Sequence, residues 1–184
     1  GSVYDIEIGL ASIFDDVKKR QETTGILPLW GSADLGSNAR YMNGAATNPD
    51  FNVITHAAIQ VKNALDFTMA LDGKGFNFSP IREGYSCLHN TNMRREQEHY
   101  ARFLFMIAEY GNEIDFPGHL LIEPRINYPL KVQYIHDVAS AIYFLEHYGL
   151  AGDCKLNINA CHARDYGRNG EHEIQFAADS NFLG

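Results

Sequence analysis

The side chains able to do chemistry gather where short apolar runs end. One run closes as Trp30-Gly31-Ser32-Ala33-Asp34, a second as Phe78-Ser79-Pro80-Ile81, a third as Glu123-Pro124-Arg125-Ile126, and a fourth as Asn157-Ile158-Asn159-Ala160-Cys161-His162. Among the groups at these endings are two carboxylates (Asp34, Glu123), a guanidinium (Arg125), an imidazole (His162), a thiol (Cys161), the Ser79 hydroxyl and the Asn159 carboxamide. Cys161 beside His162 has the two groups of a thiol–imidazole nucleophile. Adjacent residues of a strand face opposite sides, however, so the pair is not expected to meet. Asp34 reads either as a carboxylate facing a site or as a loop aspartate capping the next turn. His56, His99, His136 and His147 fall on predicted helices and read as surface or packing residues, and His172 as structural. No Gly-rich phosphate loop and no serine nucleophile elbow is found.

The elements that position these endings alternate. A helical spacing of apolar residues covers 3–21, and Gly25 stops it. The run 26–30 looks like a buried parallel strand. Asn48-Pro49-Asp50 opens a helix over 51–71. A weak strand is predicted at 76–81, a helix at 90–110, a clear strand at 119–123, a helix at 132–148, a strand at 155–160 and a last helix at 171–182. Four strands and five helices in alternation mean successive parallel βα units in one domain, 1–184. The pattern alone leaves a doubly wound open sheet and part of a barrel both open. Composition is ordinary for a globular chain, 45% hydrophobic and 21% charged over 184 residues. A net charge of −8 argues against nucleic acid or an anionic membrane as partner. No apolar run approaches the ~20 residues of a membrane span. Cys87, Cys154 and Cys161 are an odd number without metal-type spacing, which reads as free thiols in a cytoplasmic protein. Gly1-Ser2 reads as a cloning scar.

Several separated blocks share one resemblance. Gly44-Ala45-Ala46-Thr47-Asn48-Pro49-Asp50, Q-V-K-N-A-L-D at Gln60 to Asp66, Arg82-Glu83-Gly84-Tyr85, Leu121-Ile122-Glu123-Pro124 and Lys155-Leu156-Asn157-Ile158 resemble, in order and spacing, the xylose (glucose) isomerase family. The resemblance covers roughly Leu29 to Gly184. It implies a TIM barrel, of which the four strands would be the third through sixth of eight, and a metal-dependent interconversion of aldose and ketose. A complete barrel takes about 250 residues, so 184 are few for a whole one, and four strands of eight, as the resemblance implies, make a half-barrel.

At the strand ends the resemblance implies specific roles and specific departures. Glu123 stands where the family glutamate binds metal, and His162 where a histidine does. Asn159 stands in place of the bridging glutamate, and a neutral carboxamide is a poorer ligand for a hard divalent cation. Arg125 replaces the lysine that polarises the sugar oxygen, an exchange that is not conservative at a close-fitting site. Ser79 replaces the tryptophan that walls the sugar pocket, Pro80 and Ile81 replace two glycines, Asp34 stands at an asparagine, and Arg168 at a histidine. The family's catalytic His-Asp pair has no counterpart, and its other aspartate ligands would follow Gly184. The resemblance therefore implies a chain that does not isomerise sugars alone and binds no cofactor, with Mg2+, Mn2+ or Co2+ as the ions if the site is partly kept. Because the departures concentrate at strand ends, the chain reads as an engineered or fragmentary scaffold that self-associates. Two copies would supply eight strands as a homodimer. The alternatives are an active or redesigned isomerase whose site is completed across an oligomer, and a metal- or sugar-binding protein without turnover.

Overall fold

A computed structural model describes residues 3–129, 132–165 and 167–184. Helix α1 (Val3–Thr24) precedes strand β1 (Trp30–Gly31). Helix α2 (Phe51–Ala70) follows, starting where the Asp50 side chain accepts the Asn52 N–H. Strands β2 (Gly75–Phe78) and β3 (Gly84–Tyr85) come next, then α3 (Met93–Glu113), β4 (His119–Ile122) and β5 (Val132–Gln133). Helix α4 (Val138–His147), β6 (Cys154–Leu156), α5 (Ala160–Asp165) and α6 (Gly170–Asp179) complete the chain.

The four expected strands form one parallel sheet in the order β1-β2-β4-β6. Gly75 to Phe78 pair with His119 to Ile122, and Leu120 to Ile122 with Cys154 to Leu156. Such a ladder turns all four C-terminal ends to one side of the sheet. The helices cover the sheet, and Phe76, Phe78, Tyr100, Leu104, Ile122, Phe144 and Leu156 fill the space between the layers.

Several boundaries differ from the sequence reading. There are six α-helices among the described residues, not five. The fourth strand stops at Leu156, and the residues expected to extend it turn into α5, where Asn159 Oδ1 accepts the Cys161 N–H at 3.1 Å. The helix expected from 132 starts at Val138. The Asp137 side chain and Ser140 form a reciprocal cap there. Val132–Gln133 instead pairs antiparallel with β3, a small ribbon outside the main sheet. The run 26–30 enters the ladder only at Trp30, leaving Ile26 71% and Leu27 52% exposed.

The two sheet edges are unlike each other. Among the described residues no strand covers the outer side of β1. The edge of β6 is partly taken. Leu156 N–H donates to Phe182 O at 2.7 Å, Gly184 N–H donates to Leu156 O at 3.0 Å, and Leu183 bridges Leu156 in parallel. No helix among the described residues is long and apolar enough to cross a membrane.

Candidate functional site

The C-terminal ends of β2, β4 and β6 converge on one chain of hydrogen bonds. Asn77, on β2, donates from Nδ2 to Glu123 Oε2 at 3.0 Å. Asn157, just past β6, donates from Nδ2 to Asn77 Oδ1 at 3.2 Å. On the other side, His162 Nε2 lies 3.3 Å from Glu123 Oε1. Asn159 Nδ2 lies 3.3 Å from the same nitrogen. The sheet register places these groups together: Glu123 follows β4 and its N–H donates to Phe78 O at 3.1 Å, while Asn157 N–H donates to Ile122 O at 2.9 Å. Both bonds extend the ladder by one residue past the strand ends.

Each member has a fixed direction. Asn159 commits its carbonyl oxygen to Cys161, so its Nδ2 is the side that faces the imidazole. A bare His162 Nε2 accepts from Asn159, whereas a protonated one donates to Glu123, so the ring serves one partner at a time. Glu123 is 9% exposed and Asn77 6%, and a buried carboxylate of this kind needs its donors.

The sequence-derived residues divide accordingly. Glu123 and His162 meet, and Asn159 touches His162. Asp34 is exposed and turned into its own loop, where Oδ1 accepts the Ser37 N–H at 2.9 Å and the Gly36 N–H at 3.1 Å. The Ser37 bond holds its carboxyl below the usual carboxylate range. This is the capping alternative, not the site-facing one. The Arg125 guanidinium lies 3.9 Å over the Tyr128 ring, and no hydrogen bond or ion pair joins it to Glu123 or His162 among the described residues. Ser79 keeps a buried hydroxyl without a partner and is not in the cluster. Cys161 is exposed and sits on α5, so the strand-alternation argument for its separation from His162 does not apply.

Asn77 and Asn157 were not singled out from the sequence. The signal for Asn77 was its place in Gly75-Phe76-Asn77-Phe78, a carboxamide in a strand that is buried at every position. A polar side chain there must find a partner inside. The sequence also left unread the group of Asp137, Arg168 and Glu173 beside this cluster. Between the two groups lies a cavity of ≈20 Å³. That is space for about one water molecule.

The donor set does not fit the two-metal site that the resemblance implies. Among the described residues no three His, Cys, Asp or Glu side chains stand together as metal ligands. Glu123 is the one carboxylate of the cluster, too few for a pair of ions, since even a single hard divalent cation takes one or two carboxylates among its six or more oxygen ligands.

No family model matches the chain. It is 50% identical over 182 residues to xylose isomerase 1 of Xanthomonas axonopodis pv. citri, strain 306, and 53% identical over 182 residues to xylose isomerase 1 of Xanthomonas campestris pv. campestris, strain 8004. The chain is a homologue of xylose isomerase. The match takes in 99% of the chain and 41% of each of these xylose isomerases. The chain thus spans less than half the length of the curated relatives it matches. Among solved structures it resembles 3-keto-D-glucoside 4-epimerase from E. coli, with a TM-score of 0.75 and 13% identity over 95% of this chain and 63% of that one. It also resembles an L-ribulose 3-epimerase, with a TM-score of 0.70 and 18% identity over 92% and 52%. Those likenesses bear on fold alone, and the fold is half of a TIM barrel.

Proposed function

We propose that this chain is a xylose isomerase-like half-barrel scaffold that does not interconvert aldose and ketose by itself and that associates with a second copy. One observation carries the reading. Side chains of the same chain crowd both carboxylate oxygens of Glu123: Asn77 Nδ2 donates to Oε2 at 3.0 Å, and His162 Nε2 stands 3.3 Å from Oε1. The cluster is therefore filled by its own side chains where the resemblance implies open coordination positions. Arg125, at the position of the family lysine, stacks on Tyr128 and makes no ion pair with Glu123 among the described residues. The test is ketose formation from xylose with added Mg2+, Mn2+ or Co2+. The expected rate equals that of the Glu123→Ala variant, and turnover well above that variant overturns the reading.

A second reading, ion or sugar binding without turnover, is favoured by the meeting of Glu123 and His162 at 3.3 Å. A carboxylate and an imidazole brought together at a strand end are a starting pair for one divalent ion. Manganese titrated into the wild-type chain separates the two readings. Binding that Glu123→Ala and His162→Ala each weaken supports the second, and no binding supports the scaffold.

A further inference from the structure

Beside the His162 cavity two carboxylates, Asp137 and Glu173, come together with side chains only 11% exposed. Each commits one oxygen to the first turn of α4. Asp137 Oδ1 accepts the Ser140 N–H at 2.7 Å, and Glu173 Oε2, reaching from α6, accepts the Val138 N–H at 2.9 Å. Each turns its other oxygen to Arg168. The guanidinium Nη1 is hydrogen-bonded to Asp137 Oδ2 and lies 3.5 Å from Glu173 Oε1. His136 Nε2 stands 3.8 Å from the same Asp137 oxygen. Two carboxylates withdrawn from water repel unless a cation stands between them. Arginine supplies a charge that does not titrate away, and here one guanidinium nitrogen faces both acceptors.

Arg168 is also tied to the helix that carries His162. Gly167, with φ +72°, ends α5 in the left-handed conformation. Its N–H donates to Arg164 O at 3.0 Å, and the Arg168 N–H donates to Ala163 O at 2.9 Å. This bond pair fixes the direction in which the chain leaves α5, and so fixes Arg168 relative to His162 one turn earlier. Arg168, His162, Asn159 and Glu173 all border the ≈20 Å³ cavity.

We propose that Arg168 is a latch. Seated between Asp137 and Glu173, its guanidinium fastens α5 to the start of α4 and keeps the cavity at His162 too small for anything larger than water. The latch does not depend on whether the Glu123 cluster binds an ion; it sets how much room there is beside His162.

Hydrogen exchange read by mass spectrometry tests the fastening. In Arg168→Ala the amides of 160–165 are expected to exchange about tenfold faster, the loss of a charge-assisted contact. Millimolar guanidinium chloride is expected to slow them again by filling the vacated slot, while the same sodium chloride does not, and the wild-type chain responds to neither. Unchanged exchange in the variant, or equal slowing by both salts, overturns the latch. Arg168→Lys keeps the charge and loses the planar guanidinium, and is expected to exchange at an intermediate rate; exchange as fast as in an unfolded chain, or equal to wild type, overturns the role of the guanidinium even if Arg168→Ala does not fold. The closure is read separately by modification of His162 with diethyl pyrocarbonate, mapped by peptide. Faster modification in Arg168→Ala or Arg168→Lys supports it, and an unchanged rate in both overturns it.

Discussion

Glu83 is a carboxylate inside the protein, 1% exposed, held by four donors. The N–H groups of Ala45 and Ala46 meet one oxygen at 2.9 Å each, and Thr47 meets the other with its N–H at 3.0 Å and its hydroxyl at 2.7 Å. Burial pushes the carboxyl upward, and these donors pull against it. Glu83→Gln would aim an amide NH2 at groups that themselves donate. The expected loss is about 3 kcal/mol in urea unfolding, since an unpaired buried polar group costs roughly that. Asp137 answers to pH in a defined sense. Burial would raise its carboxyl, but the Ser140 hydroxyl and N–H and the Arg168 guanidinium outweigh this, so it titrates below the usual value of 3.8. A depressed carboxylate contributes stability that is present above the unfolded value and lost as pH falls through the folded one. Thermal unfolding between pH 5 and the acid range should therefore show a smaller loss for Asp137→Asn than for wild type. Equal slopes would contradict a lowered Asp137 carboxyl.

At the scale of elements, close approach decides what the short strands tolerate. A Cβ on Gly31, in β1, would stand 1.7 Å from Thr68 Oγ1 on α2. Thr68 in turn donates that hydroxyl to Ala64 O at 2.7 Å, so it has no free direction in which to retreat. Gly31→Ala should cost about 2 kcal/mol or more by forcing α2 away from β1, measured as a drop in the urea midpoint with an unchanged slope. A variant as stable as wild type would show that β1 and α2 are farther apart than described. The same scale explains why the helix starts shifted from their expected places. Asn92, Asp137 and Asn169 each cap the backbone N–H groups that follow them, and those bonds start α3, α4 and α6.

For the whole molecule the sheet edges matter most. The outer side of β1 is open, with Leu29 63% and Trp30 42% exposed beside it, whereas the β6 edge is partly filled by 182–184. An open strand edge flanked by apolar side chains pairs readily with another chain. A second copy closing the barrel through β1 must meet residues 182–184 of its partner or displace them. Sedimentation at tens of micromolar should give a mass twice the 20.7 kDa of one chain. A mass of one chain would refute self-association.

The strand-helix alternation and the identity of the four parallel strands were legible in the sequence. Apolar runs of strand length between amphipathic stretches leave few other arrangements. The nearness of Glu123 and His162 was legible too, because the blocks around them keep the order and spacing of xylose isomerase, although His162 stands on α5 and not at a strand end. The direction of each side chain was not legible. Whether Asp34 faces a site or its own loop depends on which N–H groups the folded loop brings within 3.1 Å. Whether Arg125 reaches Glu123 depends on a tyrosine ring that draws it aside. The joining of Asn77 to Asn157, and of Arg168 to Asp137, spans 80 and 31 residues of sequence. Contacts between residues that far apart are set by sheet register and helix packing, and a linear pattern does not encode them. The sequence on its own therefore determined which groups stand at the strand ends, and only the tertiary structure decided which of them satisfy one another.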